Sequence, residues 1–131
     1  MNNSNIKNQE SLLLIDSELI GTVLYLIAII ISILLIINQR NIILEKEPLF
    51  ETGEFRILVL ANRVFILLLT LWFLYINYKT YKYIQESNND TKLSKLQLFS
   101  SFILVIGAII GLYIANSNNV NQSVNIENPE I

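Results

Sequence analysis

Arg56, Arg63, Thr70 and Asn77 recur every seven residues through a stretch that is otherwise almost pure hydrocarbon, and Asn62 sits beside the second arginine. On a helix, side chains seven apart stay near one stripe, drifting by about 20° per step. Two guanidinium groups, two amides and a hydroxyl on an apolar helix suit two roles. One is a polar seam turned toward a bundle interior, a pore or a partner, since ionisable groups at membrane depth mark functional sites by default. The other, which we prefer on sequence grounds, is a clasp. If hydrocarbon begins near Ile57, Arg63 lies about 9 Å deep at 1.5 Å per residue, within reach of a snorkelling arginine. At that rim it would meet the unsatisfied C-terminal carbonyls of neighbouring helices and the acidic side chains Glu45, Glu47, Glu51 and Glu54.

Two further groups have suggestive spacing. Gly107, Gly111 and Ala115 repeat at four residues, and Ala28 and Ser32 do the same earlier in the chain. Small residues at this spacing let membrane helices approach closely. They predict either that the third apolar segment packs on the first or that it forms a homodimer. Asp16 and Glu18 precede the first apolar run, and Lys79 and Lys82 follow the second. Headgroup-level ion pairs among these four are expected. Carboxylates two apart on a helix do not face each other, which argues against a shared cation.

Other chemistry is thin. The chain has no His and no Cys, so the commonest general base, the commonest metal ligand, thiol nucleophiles and disulfides are missing. No Gly-rich phosphate loop occurs, and the acidic loop lacks calcium-loop spacing. No catalytic, cofactor-binding or metal-binding residues are assigned, and an enzyme is not expected. A net charge of −2 without a basic patch gives no reason to expect a nucleic-acid partner.

The elements that position these residues follow from composition. Of 131 residues, 53% are hydrophobic and only 15% charged, against roughly 25% charged in soluble domains. Three runs have the length of a helical crossing, about 20 residues: 19–39, 57–78 and 96–115. Spanning strands are shorter and alternate in polarity. Backbone groups in lipid must also be satisfied within their own segment. The fold class predicted is therefore an all-α integral membrane protein, with three transmembrane helices in a small bundle. The remaining parts are a polar, interfacial segment at 1–18, an acidic loop at 40–56 and a polar loop at 79–95 that begins as a helical extension. In the acidic loop Pro48 and the Thr52-Gly53 pair act as breakers. The Asn-rich tail, 116–131, is expected to be disordered. Asp90 or Thr91 is the predicted N-cap of the third helix.

With three crossings, the N-terminus and the second loop share a face. That face carries Lys7, Lys79, Lys82, Lys92 and Lys95, against Arg40, Lys46 and Arg56 opposite. The positive-inside rule then predicts a multi-pass cell-membrane protein with its N-terminus cytoplasmic and its C-terminus outside. The expected function is a non-enzymatic accessory or interaction subunit, with the lipid bilayer as its medium. Its partner would be a further copy or a larger membrane complex, engaged through the third helix. The alternative is a homo-oligomeric pore-forming protein, comparable to holins in size and span number. Holins end in a strongly charged tail, whereas this tail has no Lys or Arg, and no motif ties the chain to a family.

Overall fold

A computed structural model describes residues 3–117. Three helices account for nearly all of them: α1 (Asn3–Ile43), α2 (Thr52–Glu86) and α3 (Lys92–Ser117). Each is long and apolar enough to cross a membrane. The helices exceed their apolar runs because nothing interrupts them. α1 takes in most of the N-terminal segment expected to be separate, and α2 continues through Lys79–Glu86. Of the tail, only Asn116 and Ser117 fall within the description, as the last residues of α3; the disorder expected for the rest lies outside the described residues.

The Thr52-Gly53 pair, read as a breaker, opens α2 instead. The first N–H groups of a helix have no intrahelical partner, so weak helix formers cost little there. The Phe55 N–H then donates to Glu51 O at 2.8 Å, and Glu54 complements the positive end of the helix.

Both turns close in the same way. Glu45 and Asn88 adopt φ of 57°. At the end of α1, the Glu45 and Lys46 N–H groups donate to Ile42 O and Asn41 O. At the end of α2, those of Asn88 and Asn89 donate to Gln85 O and Ile84 O. These are Schellman caps with a left-handed residue at the position glycine usually takes. At the start of α3, Asp90 Oδ1 accepts from the Lys92 N–H at 3.0 Å, while Thr91 O accepts from the Lys95 N–H.

α2 is the middle of the assembly. It packs against α1 on one side and α3 on the other, and α1 and α3 make no backbone contact with each other among the described residues. The expectation that the third segment packs on the first is corrected: its partner is α2. Buried residues of α2 step by fours and threes through Phe55, Val59, Asn62, Ile66 and Leu69, then by seven to Ile76, the seam spacing of coiled helices. Many of the facing residues are small, though Leu35, Asn38 and Gln39 of α1 and Val105 of α3 are buried too. α1 presents Gly21, Ala28 and Ser32, and α3 presents Ser94, Ser101, Ala108, Gly111 and Ala115, all buried. Two apolar clusters result, Ala28 with Ile66, Leu69 and Ala108, and Leu35 with Phe55, Val59 and Ala115. Large side chains such as Ile30, Phe102 and Ile110 point outward, where lipid replaces water and exposure carries no hydrophobic cost.

Candidate functional site

The antiparallel register of α1 and α2 sets the depth of every polar group. The Trp72 indole Nε1–H donates to Ser17 O at 3.0 Å. Asn62 Nδ2 donates to Ser32 Oγ at 2.9 Å and to Ala28 O at 3.3 Å. Asn38 Oδ1 accepts from the Phe50 N–H at 2.9 Å. Asn62 and Arg63 are therefore level with Ala28–Ser32, the middle of the first apolar run rather than its rim. Both are interior, Asn62 being 2% and Arg63 7% exposed, and Arg63 is engaged rather than free.

This geometry revises the clasp. Arg63 does not snorkel to solvent, and Glu45, Glu47, Glu51 and Glu54 of the acidic loop are all exposed. Asn38 does the tying, holding Phe50 of the loop against α1, and Asn41 Nδ2 adds a longer bond to Glu47 O at 3.4 Å. Arg63 lies some ten residues from the helix end, about 15 Å at the helical rise, and is held inside the bundle.

The seven-spaced seam is split by its own drift. Arg56 lies at the surface, Arg63 is buried, and Thr70 and Asn77 are half-buried. Asn62 turns to α1, whereas Asn77 Nδ2 donates to Ser101 Oγ on α3. Thr70 Oγ1 donates to Leu67 O at 2.8 Å within α2. Three steps of about 20° separate Arg56 from Asn77, enough for one stripe to meet two neighbours.

Of the small residues, Ala28, Ser32, Gly111 and Ala115 are buried in the bundle, but a Cβ on Gly107 would meet nothing within 4 Å. Gly21 has the opposite character. A Cβ there would lie 2.8 Å from Trp72 Cδ1 and 3.0 Å from Phe73 Cζ. The missing side chain is what admits the indole to the Ser17 carbonyl.

The expected ion pairs are replaced by aromatic contacts. Lys79 Nζ lies 5.6 Å from the centre of the Tyr75 ring and Lys82 Nζ 5.8 Å from that of Tyr78. Asp16 and Glu18 are exposed. Four residues apart on one helix, a lysine and a tyrosine meet without help from a neighbour.

Because α1 and α3 stand apart, a cleft of about 560 Å³ opens between them with α2 as its floor. Its polar end carries Glu18 from α1, Asn77 from α2, and Gln97, Ser100 and Ser101 from α3. Phe73, Thr70 and Leu104 follow, and Tyr25, Ile66 and Ala108 lie at the deep end. Thr70 and Asn77 were singled out from the sequence, and Glu18 for a different role. Gln97, Ser100 and Ser101 were missed inside an uncharged run. The signal for Ser101 was present: Ser94, Ser101, Ala108 and Ala115 are small residues seven apart.

No protein-family model matches this chain, and comparison with curated proteins and with solved structures gave no match.

Proposed function

We propose that this small multi-pass membrane protein is a non-enzymatic accessory or interaction subunit of a larger membrane assembly, seated in the cell membrane with its N-terminus cytoplasmic. One observation carries the reading: polar side chains that a pore would turn to water are bonded inside the chain. Asn62 is held by Ser32 and Ala28, Thr70 by Leu67 O, and Asn77 by Ser101. A conducting seam needs such groups presented to a lumen. Here Asn62 ties α2 to α1 and Asn77 ties it to α3.

A second copy, as the self-association reading requires, would have to use what α3 leaves unused. Gly111 and Ala115 are committed to the interior, so a homodimer through α3 would rest on Gly107 and its exposed neighbours.

The purified chain, reconstituted in vesicles, should pass no ions, and a thiol placed by Asn62→Cys should stay inert to a membrane-impermeant maleimide from either side. The native chain contains no Cys, so no background reaction intervenes. Ion flux with a reactive thiol at Asn62 would establish the pore instead. In native membranes, photobleaching of a fluorescent fusion should count one or two copies per spot, where a ring-shaped pore requires more.

A further inference from the structure

We infer that the cleft between α1 and α3 binds a single-chain cationic amphiphile. The ammonium head would lie at Glu18 and Asn77, with the tail running over Phe73 and Leu104 toward Ile66 and Ala108. The inference goes beyond the accessory role and stands or falls separately from it.

Size and depth come first. The cleft volume of about 560 Å³ lies within the roughly 300–1,000 Å³ of small-molecule sites and is far too small for another transmembrane helix. From Ile66 to Asn77 the floor rises by about 16 Å. That is half of a hydrocarbon layer of roughly 30 Å, the depth of one leaflet. Polarity is graded along it, from a carboxylate and amides at one end to Ile66 and Ala108 at the other.

Hydrogen-bond bookkeeping then selects the head group. The Ser101 hydroxyl proton goes to Gln97 O at 3.1 Å, and its oxygen accepts from Asn77 Nδ2. The Thr70 proton goes to Leu67 O. What these residues still offer is mainly acceptor capacity, the Asn77 carbonyl oxygen, the Thr70 oxygen and the Glu18 carboxylate, beside one remaining Asn77 N–H. Gln97 and Ser100 are exposed and serve as donor or acceptor. Glu18 is the one charged residue among the lining residues, and no Lys or Arg joins it. A phosphate or carboxylate head would face a like charge and no cation. An ammonium supplies the positive charge that the lining lacks and N–H donors for its acceptors. Phe73 adds a ring face near the same level, favourable to a cation.

The experiment separates such a single-chain amine from a zwitterionic aminophospholipid, whose phosphate would face Glu18. The full chain is reconstituted in phosphatidylglycerol vesicles, which contain no amine, with a dodecylammonium probe carrying a diazirine near its tail end. A probe with the same tail and a hydroxyl head is the control. The ammonium probe should label Ile66, Leu104 and Ala108, whereas the hydroxyl probe should spread over outward residues such as Ile30 and Ile110. Glu18→Gln should lower cleft labelling about tenfold, the loss of one charge-assisted hydrogen bond. Ser100→Phe, which narrows the cleft and keeps the carboxylate, should lower it comparably. Glu18 and Ser100 are exposed, so unchanged emission from Trp72 will verify that both variants keep their packing. Phosphatidylethanolamine added to the vesicles should leave the probe in place, and displacement by it would overturn the selection of a single-chain cation. Even labelling around the helices by the ammonium probe, or cleft labelling unchanged in both variants, would overturn the site.

Discussion

Gly21→Ala is the sharpest test of how α1 and α2 are joined, because three effects compete and their sizes decide the sign. In a helix interior Ala is favoured over Gly by about 0.5–1 kcal/mol, so propensity alone makes the variant more stable. Against this, the new Cβ would sit 2.8 Å from Trp72 Cδ1 and 3.1 Å from Trp72 Nε1. To regain a normal carbon–carbon separation the indole must retreat by about 0.6 Å or more. It is a poor candidate for easy movement. Its Nε1–H is bonded to Ser17 O, its ring leans on Tyr75 at 6.4 Å between centroids, and Phe73 Cζ blocks the same space at 3.0 Å. Overpacking of this kind costs about 1–3 kcal/mol, and the strained hydrogen bond adds about 1 kcal/mol. The net expectation is a destabilisation of about 1–3.5 kcal/mol.

Trp72 is the only tryptophan in the chain, so its emission reports the contact itself. Unfolding by SDS in mixed micelles, followed by that emission and by helical circular dichroism, gives both the shift in indole environment and the free-energy change. A double-mutant cycle with Trp72→Phe isolates the cause, read by circular dichroism because the tryptophan is gone. Removing the indole should recover most of the loss, leaving only the Phe73 contact. A Gly21→Ala chain as stable as the parent with unaltered emission, or one destabilised equally with and without Trp72, would refute this packing.

Gly107→Ala is the matched control: with nothing within 4 Å of its Cβ, it should be neutral or stabilising by up to about 1 kcal/mol in the same titration. Gly107→Leu should leave the monomer folded but reduce any self-association measured by energy transfer in vesicles, whereas Gly111→Leu should damage the fold, since Gly111 is buried. Asn62→Leu should change stability by less than about 1 kcal/mol. It removes two interhelical bonds, each worth about 0.6 kcal/mol in a membrane, together with Asn62 Oδ1, a buried acceptor with no hydrogen-bond partner, and losing that orphan offsets them. Glu45→Gly should stabilise by about 1 kcal/mol, since a left-handed φ of 57° costs a side-chain-bearing residue and not glycine; an unchanged unfolding midpoint would remove the Schellman reading of that turn.

The sequence by itself determined the architecture in one dimension. Three apolar runs of crossing length, only the second of them holding a charge, Arg63, point to three helices, because a backbone in lipid must bond within its own segment. It also marked Thr70 and Asn77, whose polarity stands out against their neighbours. Tertiary structure alone decided which faces meet. In water, an apolar stripe reveals the core side of a helix. Here lipid is as apolar as the interior, so Ile30, which faces out, and Leu35, which faces in, read alike. The choice falls to close approach and to hydrogen-bond geometry between helices, neither of which periodicity records. That is why α2 rather than α1 receives α3, why Gly21 and not Gly107 is the crowded glycine, and why Arg63, placed at the rim by counting residues, lies inside beside Asn62. The cleft has the same origin: it exists because the backbones of α1 and α3 do not come together, a relation that no single segment encodes.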